Sequence, residues 1–532
     1  MTQPARYLKQ NVAVEPLYNQ WYAWWYLISP ATAPLMVANL HVKIMQSFVA
    51  NPAVHVAALK NPALMGGPYL NHGVEKVGEV KELLERTLAE AKPSLDLAQA
   101  IADLHKLLAT ASTGQSLEDL YQQVPDVLRG YVELTYDLSN RASPRFLEAL
   151  LYRSPLHREG AQSLLFRELQ GDARPYVFST PRLASDAGLQ ARVPFRHEAV
   201  DALLAAQGTP APVEPLREAL GIAPEDAARF SALFTDERPP EPTRYEGPGV
   251  RVRYFGHACV LIESRSASIL TDPVVSYDVP RDPPRYTVAD LPPSIDYVLL
   301  THGHADHLML ETLLRLRQRI GTIVVPASSG GRLADPSLKL LLRSVGFRRV
   351  VEIEELESIE LPGGGAITGM PFFGEHGDLE IRSKIAHLVT LEGRSILMAA
   401  DSNALEPRVY DHVRDAVGDI DVLFIGMESE GAPMSWMYGP LMPVPLPRKM
   451  DQSRRLNGCN SARAIEVVKR LSPRHVCVYA MGREPWLGHV MVMRYTEASP
   501  QLVEARKLLA HCHGQGIAAE LPYGQAEIVL SA

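Results

Sequence analysis

Apolar and polar positions follow two different rhythms along this 532-residue chain. Between about residues 76 and 170, apolar residues recur at intervals of three and four positions, as Val77, Val80 and Leu83 do. This spacing places them on one face of a helix. We expect a mixed, largely helical N-terminal part, with helices near 77–88, 95–108 and 146–151.

From Val250 onward, apolar residues alternate with polar ones or form short runs, and both patterns are typical of strands. Helical spacings separate many of these segments. Strands interleaved with helices predict an α/β domain whose helices pack outside its sheets. The segments expected to be strands are 250–263, 268–273, 297–300, 322–326, 350–353, 385–390, 395–398, 422–425 and 475–479.

A polar segment at 236–249 separates these two patterns. It contains four prolines and two glycines, a composition typical of a linker. We therefore predict an N-terminal domain at 1–245 and a catalytic domain at 246–532. The N-terminal part also holds an aromatic cluster, Trp21 to Tyr26, and a cluster this dense is usually buried in a core or against another subunit.

Composition narrows the classes of function. The chain has 46% hydrophobic and 21% charged residues and a net charge of −8, so we expect a globular protein with no nucleic-acid partner. Polar residues and prolines interrupt the most apolar early segment, 21–45, so we expect no membrane span. The four cysteines show no disulfide framework, and we expect a cytoplasmic protein.

The stretch 301–307, Thr-His-Gly-His-Ala-Asp-His, is the strongest chemical signal in the chain. It follows the buried strand predicted at 297–300, and a helix is expected after it. His302 and His304 lie on one side of an extended segment, and Asp306 and His307 come directly afterwards. Three imidazoles and a carboxylate so close together can bind two metal ions side by side.

Further candidate ligands follow later strands. Glu375 and His376 lie in a Phe-Phe-Gly-Glu-His-Gly stretch, Asp401 follows the strand at 395–398, and His489 follows a Trp-Leu-Gly stretch. Glu428 follows the strand at 422–425, where it is either close to the metals or an exposed loop carboxylate. Strand ends on a rigid scaffold hold ligands at the positions that a metal requires.

With these motifs the second domain resembles the metallo-β-lactamase fold. The likeness rests on the His-x-His-x-Asp-His run, 256–263, 270–273 and the Asp401–Ser402 turn. It implies an αββα sandwich in which His302 and His304 bind metal 1, Asp306 and His307 bind metal 2, and Asp401 bridges both. The likeness also places His257 and Asp272 near the metals, with supporting roles.

Glu375 is a departure from the hydrolytic members of that fold, which carry a histidine at this position. His376 is adjacent, so a shift of one residue in the alignment remains an alternative. With Glu375, Asp306 and Asp401 the site holds three carboxylates. Hard oxygen ligands shift the preference from zinc towards iron or manganese.

The glutamate, the long N-terminal part and the chain length resemble a narrower family, the di-iron β-hydroxylases of nonribosomal peptide and antibiotic assembly. The resemblance implies two iron ions, O₂ as co-substrate and an external electron donor. It also implies, as substrate, an aminoacyl thioester on a peptidyl-carrier domain of a nonribosomal peptide synthetase. A homodimer formed through the N-terminal domain, which also contributes to the substrate cavity, is a further implication.

Two hypotheses of different class follow. The first is a di-iron monooxygenase with Glu375, Asp401 and Glu428 as its catalytic carboxylates. The alternative is a di-zinc hydrolase of an ester, lactone or phosphodiester that uses a bridging hydroxide. The segment 431–450 is either a lid over the substrate or a packed insertion. Four basic residues at its end and just after it either attract a carrier phosphate or form a solvated surface: Arg448, Lys449, Arg454 and Arg455.

Overall fold

A sandwich of two sheets forms the C-terminal half of the computed structural model. The structure describes residues 5–531 except 62, 63, 65, 176, 185, 187 and 281. Within these residues, one seven-stranded sheet has the strand order β15-β14-β13-β12-β11-β10-β23 and the other β16-β17-β18-β19-β20-β21-β22. Buried residues of both sheets, such as Leu299 and Val422, share one core between them.

The strands of the first sheet are β10 (Val250–Gly256), β11 (Cys259–Glu263), β12 (Ser268–Thr271), β13 (Ile295–Leu299), β14 (Ile320–Pro326), β15 (Val350–Ile353) and β23 (Ala526–Leu530). Those of the second are β16 (Ser358–Glu360), β17 (Ala366–Met370), β18 (Ala386–Leu391), β19 (Arg394–Met398), β20 (Val422–Gly426), β21 (His475–Tyr479) and β22 (Ala518–Glu520). Every predicted strand segment is confirmed. The short strands β16, β17, β22 and β23 were not predicted from the sequence.

Helices cover both outer faces of the sandwich, which completes the predicted αββα arrangement. They are α11 (Leu310–Leu316), α12 (Leu338–Ser344), α13 (Val409–Val417), α14 (Ser435–Tyr438), α15 (Arg448–Ser453), α16 (Ser461–Leu471), α17 (Gly488–Met491) and α18 (Pro500–Gly514). Strands β12 to β15 run parallel, as do β19 to β22, so that in each set the carboxyl ends lie at one edge. Such an edge can gather side chains from several strands.

The N-terminal half mixes short strands and helices. Its strands are β1 (Ala5–Leu8), β2 (Val12–Tyr18), β3 (Trp21–Tyr22), β4 (Val132–Tyr136), β5 (Ala142–Phe146), β6 (Gln162–Glu168), β7 (Leu189–Ala191), β8 (Ala211–Pro212) and β9 (Phe234–Thr235). Its helices are α1 (Trp25–Ile28), α2 (Ala33–Met36), α3 (Val42–Ala50), α4 (Pro52–Ala58), α5 (Val77–Glu90), α6 (Lys92–Ala111), α7 (Glu148–Leu151), α8 (Glu198–Ala205), α9 (Val213–Ala219) and α10 (Ala227–Ser231).

Two of the three predicted N-terminal helices are confirmed, as α5 and α6. The third is largely wrong, because Phe146 ends strand β5 and only the single turn α7 is helical there. Strand β6 also lies inside the region expected to be helical. Pairing of β5 with β4, and of β6 with β2, outweighs the local apolar spacing.

The two halves share one continuous core, which runs from Leu8 to Leu456. The aromatic cluster is buried within it, as predicted, and Trp25 and Tyr26 have no exposed surface. Residues 236–249 contain no helix or strand. The division at 245/246 remains a prediction. Among the described residues, no helix is both long and apolar enough to cross a membrane.

Candidate metal centre

The His-x-His-x-Asp-His motif lies in the loop that joins β13 to α11, at the carboxyl edge of the first sheet. His302 pairs with Lys384 in an isolated bridge, which keeps its backbone extended. The amides of His307 and Leu308 donate to the carbonyl of His304, so the chain turns there before the helix begins. The extended part of the loop and the turn that follows it therefore direct their imidazoles and carboxylate to different sides.

A first group of possible ligands consists of His302, His304 and Glu375. All three are buried, and one ligand atom from each lies within 4.8 Å of the other two. Nδ1 of His304 is 2.7 Å from Oε1 of Glu375. The other nitrogen of His304, Nε2, lies 2.9 Å from the hydroxyl of Tyr438. His304 therefore directs Nδ1 into the site.

A second group surrounds Asp401, at the end of the neighbouring sheet. Its Oδ2 lies 3.0 Å from Nε2 of His307 and 3.7 Å from Nε2 of His302. Asp306 extends this group, with Oδ2 3.7 Å from Nε2 of His307. Because Asp401 contacts a histidine of each group, its carboxylate lies where a bridge between two cations would form.

Unpaired buried atoms test whether the site fits metal ions. Nε2 of His257, His302 and His307 and Oδ1 of Asp401 are all buried and make no hydrogen bond of good geometry among the described atoms, although carboxylate oxygens lie 3.0–3.7 Å from the three nitrogens. An unpaired buried polar atom costs about 1–3 kcal/mol, so several in one place need a common partner. Bound cations would satisfy these nitrogen and carboxylate donors together, and the residues present fit a two-metal centre.

His257 lies closer to the centre than the sequence indicated. Its Nδ1 accepts a hydrogen bond from the amide of Gly482, so Nε2 faces Asp306 at 3.1 Å. His257, Asp306 and His307 form a further group with metal-ligand spacing. The Gly-His turn after β10 was the available signal, although only the fold brings it to Asp306.

Asp272 orients His307 of the second group through the imidazole nitrogen that points away from the centre. Its carboxylate lies 2.8 Å from Nδ1 of His307 and accepts from the amide and the hydroxyl of Thr301. A carboxylate on Nδ1 fixes the tautomer that leaves Nε2 free for a metal. The supporting role predicted for Asp272 agrees with these contacts.

Backbone strain is concentrated around the centre. His257, Asp272, Glu375, Ala400 and Ala480 all have positive φ angles, between 32° and 69°. Side chains other than glycine rarely adopt this conformation, and it persists where surrounding contacts enforce it. All five follow strand ends, so the strain accompanies the turns that direct these segments towards the site.

The site is rich in negative charge. Burial alone would raise the pKa of Glu375, but the imidazoles of His304 and His376 hold it well below its ordinary value. Burial and the carboxylates of Asp401 and Asp306 raise the pKa of Glu428 well above its usual range. Such a concentration of carboxylates favours binding of divalent cations.

The structure brings Glu428 near the centre but places His489 elsewhere. Glu428 interacts electrostatically with Asp401 and keeps some exposed surface. His489 lies in α17, its ring 5.9 Å from that of Tyr22, and it belongs to neither group. Burial and Arg174 lower the pKa of His489 to about 4. The short helix turns this side chain towards the N-terminal half, so we omit it from the ligand set proposed below.

His376 is the alternative to Glu375 that the sequence left open. Its Nδ1 lies 2.6 Å from Oε2 of Glu375, and its ring stacks on that of His304. His376 is absent from the groups with metal-ligand spacing. In the structure, Glu375 is therefore the better placed of the two residues.

Fold and site together define a two-metal protein of the metallo-β-lactamase fold with a carboxylate-rich centre. Residues 267–478 match the β-lactamase superfamily domain, and residues 7–239 match the N-terminal domain of di-iron non-haem β-hydroxylases. The chain is 40% identical over 524 residues to 4-amino-L-phenylalanyl-[CmlP-peptidyl-carrier-protein] 3-hydroxylase of Streptomyces venezuelae, covering 96% of this chain and 97% of that protein.

Solved structures give the same result. The crystal structure of CmlA, a di-iron β-hydroxylase from Streptomyces venezuelae, matches with a TM-score of 0.92 and 39% identity, covering 99% of this chain and all of that one. A CmlA mutant matches with a TM-score of 0.90, 38% identity, and 98% and 100% coverage. The chain belongs to the di-iron non-haem β-hydroxylase family. It is an oxygenase that uses two iron ions and O₂, which supports the first hypothesis over the di-zinc hydrolase.

Proposed function

We propose that this enzyme hydroxylates the β-carbon of an amino acid held as a thioester on a peptidyl-carrier domain of a nonribosomal peptide synthetase. The oxygenase activity is supported by the position of Glu375. This carboxylate faces His302 and His304, where hydrolytic relatives have a histidine. The carrier-bound substrate is proposed from the relative that shares 40% identity over nearly its whole length.

For the ligands, we assign His302, His304 and Glu375 to one iron and Asp306 and His307 to the other, with Asp401 between them. This assignment is supported by the groups that have metal-ligand spacing, in which Glu375 lies with His302 and His304, Asp306 with His307, and Asp401 with His302 and His307. His and carboxylate ligands on one metal are the set that non-haem iron oxygenases use. Glu428 is proposed as a further carboxylate at the edge of the second group.

Two bound irons would supply O₂ activation, with two electrons from an external donor and two protons, so that one oxygen atom enters the β C–H bond and the other leaves as water. The protein's own residues hold the ligands and exclude water. Tyr438 holds the outer nitrogen of His304, and Trp25 packs on Gly303. Both aromatic side chains are buried, so they shield this side of the centre from solvent.

The segment 431–450 joins the centre to the N-terminal half. Met434 and Tyr438 are buried, and Asn39 donates to the carbonyl of Pro440. Its inner part is thus a packed wall, which favours the packed insertion over a mobile lid. Its outer part faces solvent, since Val444 is 73% exposed.

A docking face for the carrier domain lies on this outer part, and we define it by Val444, Arg448, Lys449 and Met450. The side chains of Arg448 and Lys449 are both exposed to solvent. Val444 and Met450 add exposed apolar surface. The phosphate of a carrier's phosphopantetheine arm is an anion that these cations would attract.

A tertiary contact links the segment after the docking face to the loop that carries Glu375. Arg454, which follows α15, donates from Nε to the carbonyl of Gly377 at 2.8 Å. Gly377 is two residues from Glu375. A carrier bound on this face would present its flexible arm beside the loop that carries Glu375.

The experiment that tests this function uses purified enzyme with a carrier domain loaded with candidate amino acids, a reductant and ¹⁸O₂. We expect about two irons per chain and a product heavier by one oxygen atom, with the label retained. The same amino acid without the carrier should react far less. Stoichiometric zinc, ester hydrolysis and no O₂ consumption would instead support the di-zinc hydrolase. The homodimer, the identity of the electron donor and a cytoplasmic location remain predictions.

A further inference from the structure

A second cluster of metal-binding side chains lies far from the iron centre, on the outer strand pair of the second sheet. His475 and Cys477 are two residues apart on β21, so both point to the same face. Glu520 on β22 is the register partner of Cys477. One ligand atom from each of the three residues lies within 4.8 Å of the other two.

We propose that His475, Cys477 and Glu520 form a zinc site that is separate from the di-iron centre. Imidazole, thiolate and carboxylate are the three side-chain ligands that Zn²⁺ uses, and a fourth position remains for water. The set suits zinc better than iron in this protein, because a soft thiolate replaces the hard oxygen ligands of the catalytic centre.

The spacing supports a tetrahedral ion. With bonds of about 2.0–2.3 Å, ligand atoms around zinc stand about 3.3–3.6 Å apart. Nε2 of His475 lies 3.1 Å from Oε1 of Glu520, and Sγ of Cys477 lies 3.6 Å from the same oxygen. The three atoms therefore need little movement to bind one cation.

Exposure is graded across the cluster. Cys477 is buried, whereas the side chains of His475 and Glu520 are 22% and 38% exposed. Burial and the Glu520 carboxylate raise the pKa of the Cys477 thiol well above its ordinary value. The thiol is protonated without a cation, and it would release its proton to solvent when zinc binds.

The position in the fold indicates what such a site would do. Strand β22 is a three-residue edge strand that pairs only with β21 among the described strands. A zinc ion joining the two strands would anchor this short edge. His475 begins β21, whereas the end of β21 leads to Gly482 and the iron centre. Along the strand, His475 lies about 13 Å and Cys477 about 7 Å from Tyr479, and the iron centre lies beyond that end.

Iron-loaded enzyme titrated with Zn²⁺, with iron measured in parallel, tests the proposal. We expect one additional zinc per chain without loss of iron, and a higher melting temperature. His475→Ala and Cys477→Ala should each weaken zinc binding by at least about tenfold, as even the loss of an outer partner does. Cys512→Ala replaces another buried cysteine and should keep the zinc.

Cobalt gives a second readout that does not depend on the fold of the cysteine variant. None of the proposed iron ligands is a cysteine, and among the described residues Cys477 is the cysteine that lies in a group with metal-ligand spacing, so a thiolate-to-cobalt charge-transfer band in the near ultraviolet reports on this site. We expect this band in wild-type enzyme loaded with iron and then with Co²⁺, and its loss in His475→Ala. No extra metal in the wild type, or extra metal that both variants retain, would overturn the proposal and leave His475 and Glu520 as an ion pair. Neither result bears on the hydroxylase function.

Discussion

Oε1 of Glu375 lies 2.7 Å from Nδ1 of His304, although 70 positions separate the two residues in the chain. This contact places a carboxylate where hydrolytic relatives of the fold have an imidazole. Substitution of Glu375 therefore tests the proposed iron ligands.

The first prediction concerns Glu375 itself. Glu375→His should keep the fold but lower oxygenase activity by at least about 100-fold, because a softer neutral ligand replaces a carboxylate. Iron content and the melting temperature are measured side by side. His376→Ala is the matched control and should retain iron. If His376→Ala loses iron while Glu375→Ala keeps it, the ligand is His376.

The second prediction concerns the carboxylate behind His307. Asp272→Asn should lower metal affinity by about 10- to 100-fold, because a neutral amide replaces the anionic acceptor that fixes the His307 tautomer. A competition assay with a chelator measures this affinity. Asp296→Asn is a suitable control, since Asp296 accepts from Ser268 at the other end of the first sheet. Equal losses in both variants would point to a general effect on folding.

The third prediction concerns the glycine inside the motif. A Cβ on residue 303 would stand 2.0 Å from the ring of Trp25. Gly303→Ala should therefore destabilise the protein by about 1–3 kcal/mol and reduce its iron content. Gly78→Ala, in an open position on α5, should stabilise it by about 0.5–1 kcal/mol. Urea unfolding measures the change in the free energy of unfolding for both variants. An unchanged Gly303→Ala protein would show that Trp25 moves freely.

The fourth prediction uses a buried ion pair between N-terminal segments. Glu15 is bonded to Arg174 and Arg182, all almost wholly buried. Burial alone would raise the pKa of Glu15, but the two arginines lower it from 4.5 to about 2. Its contribution to stability is therefore present above about pH 4.5 and is lost as the pH falls towards about 2.

Glu15→Gln should destabilise the protein by about 3–5 kcal/mol near neutral pH, because it removes one of the carboxylates that balance two buried arginine charges. Its stability should also fall less steeply than that of the wild type below about pH 4.5. Glu168→Gln is the control, since its pair with Lys9 is partly exposed and should contribute no more than about 1 kcal/mol. If the free energy of unfolding falls equally steeply with decreasing pH in the wild type and in Glu15→Gln, this account of the ion pair is wrong.

The fifth prediction concerns the docking face. Replacing Arg448 and Lys449 by Glu should raise KM for the loaded carrier about tenfold with little change in kcat, because these charges lie outside the metal centre. Added salt should reduce the difference. The same change at Arg348 and Arg349 alters net charge equally at an exposed position before β15 and should leave KM unchanged. Equal effects of both pairs would argue against a local docking face.

Much of the catalytic half was predictable from local pattern. Buried strands have continuous apolar runs in the sequence. The residues directly after such a run lie at the edge of the sheet, and this placement does not depend on distant parts of the chain. For this reason His302, His304, Asp306, His307 and Asp401 were predicted together, and the structure brings them together. The N-terminal half was harder, because β5 and β6 depend on strands far away in the chain.

The sequence by itself determined the fold class and the position of the two-metal motif, and it predicted Glu375, with His376 as the alternative, as the residue that separates oxygenase from hydrolase. Only the tertiary structure decided which distant groups complete the centre. It brings Nε2 of His257 to Asp306, places Trp25 on Gly303 and turns His489 away. The physical reason is that periodicity specifies the face on which a side chain lies. Its partner on that face depends on how remote segments pack, which neighbouring residues do not encode.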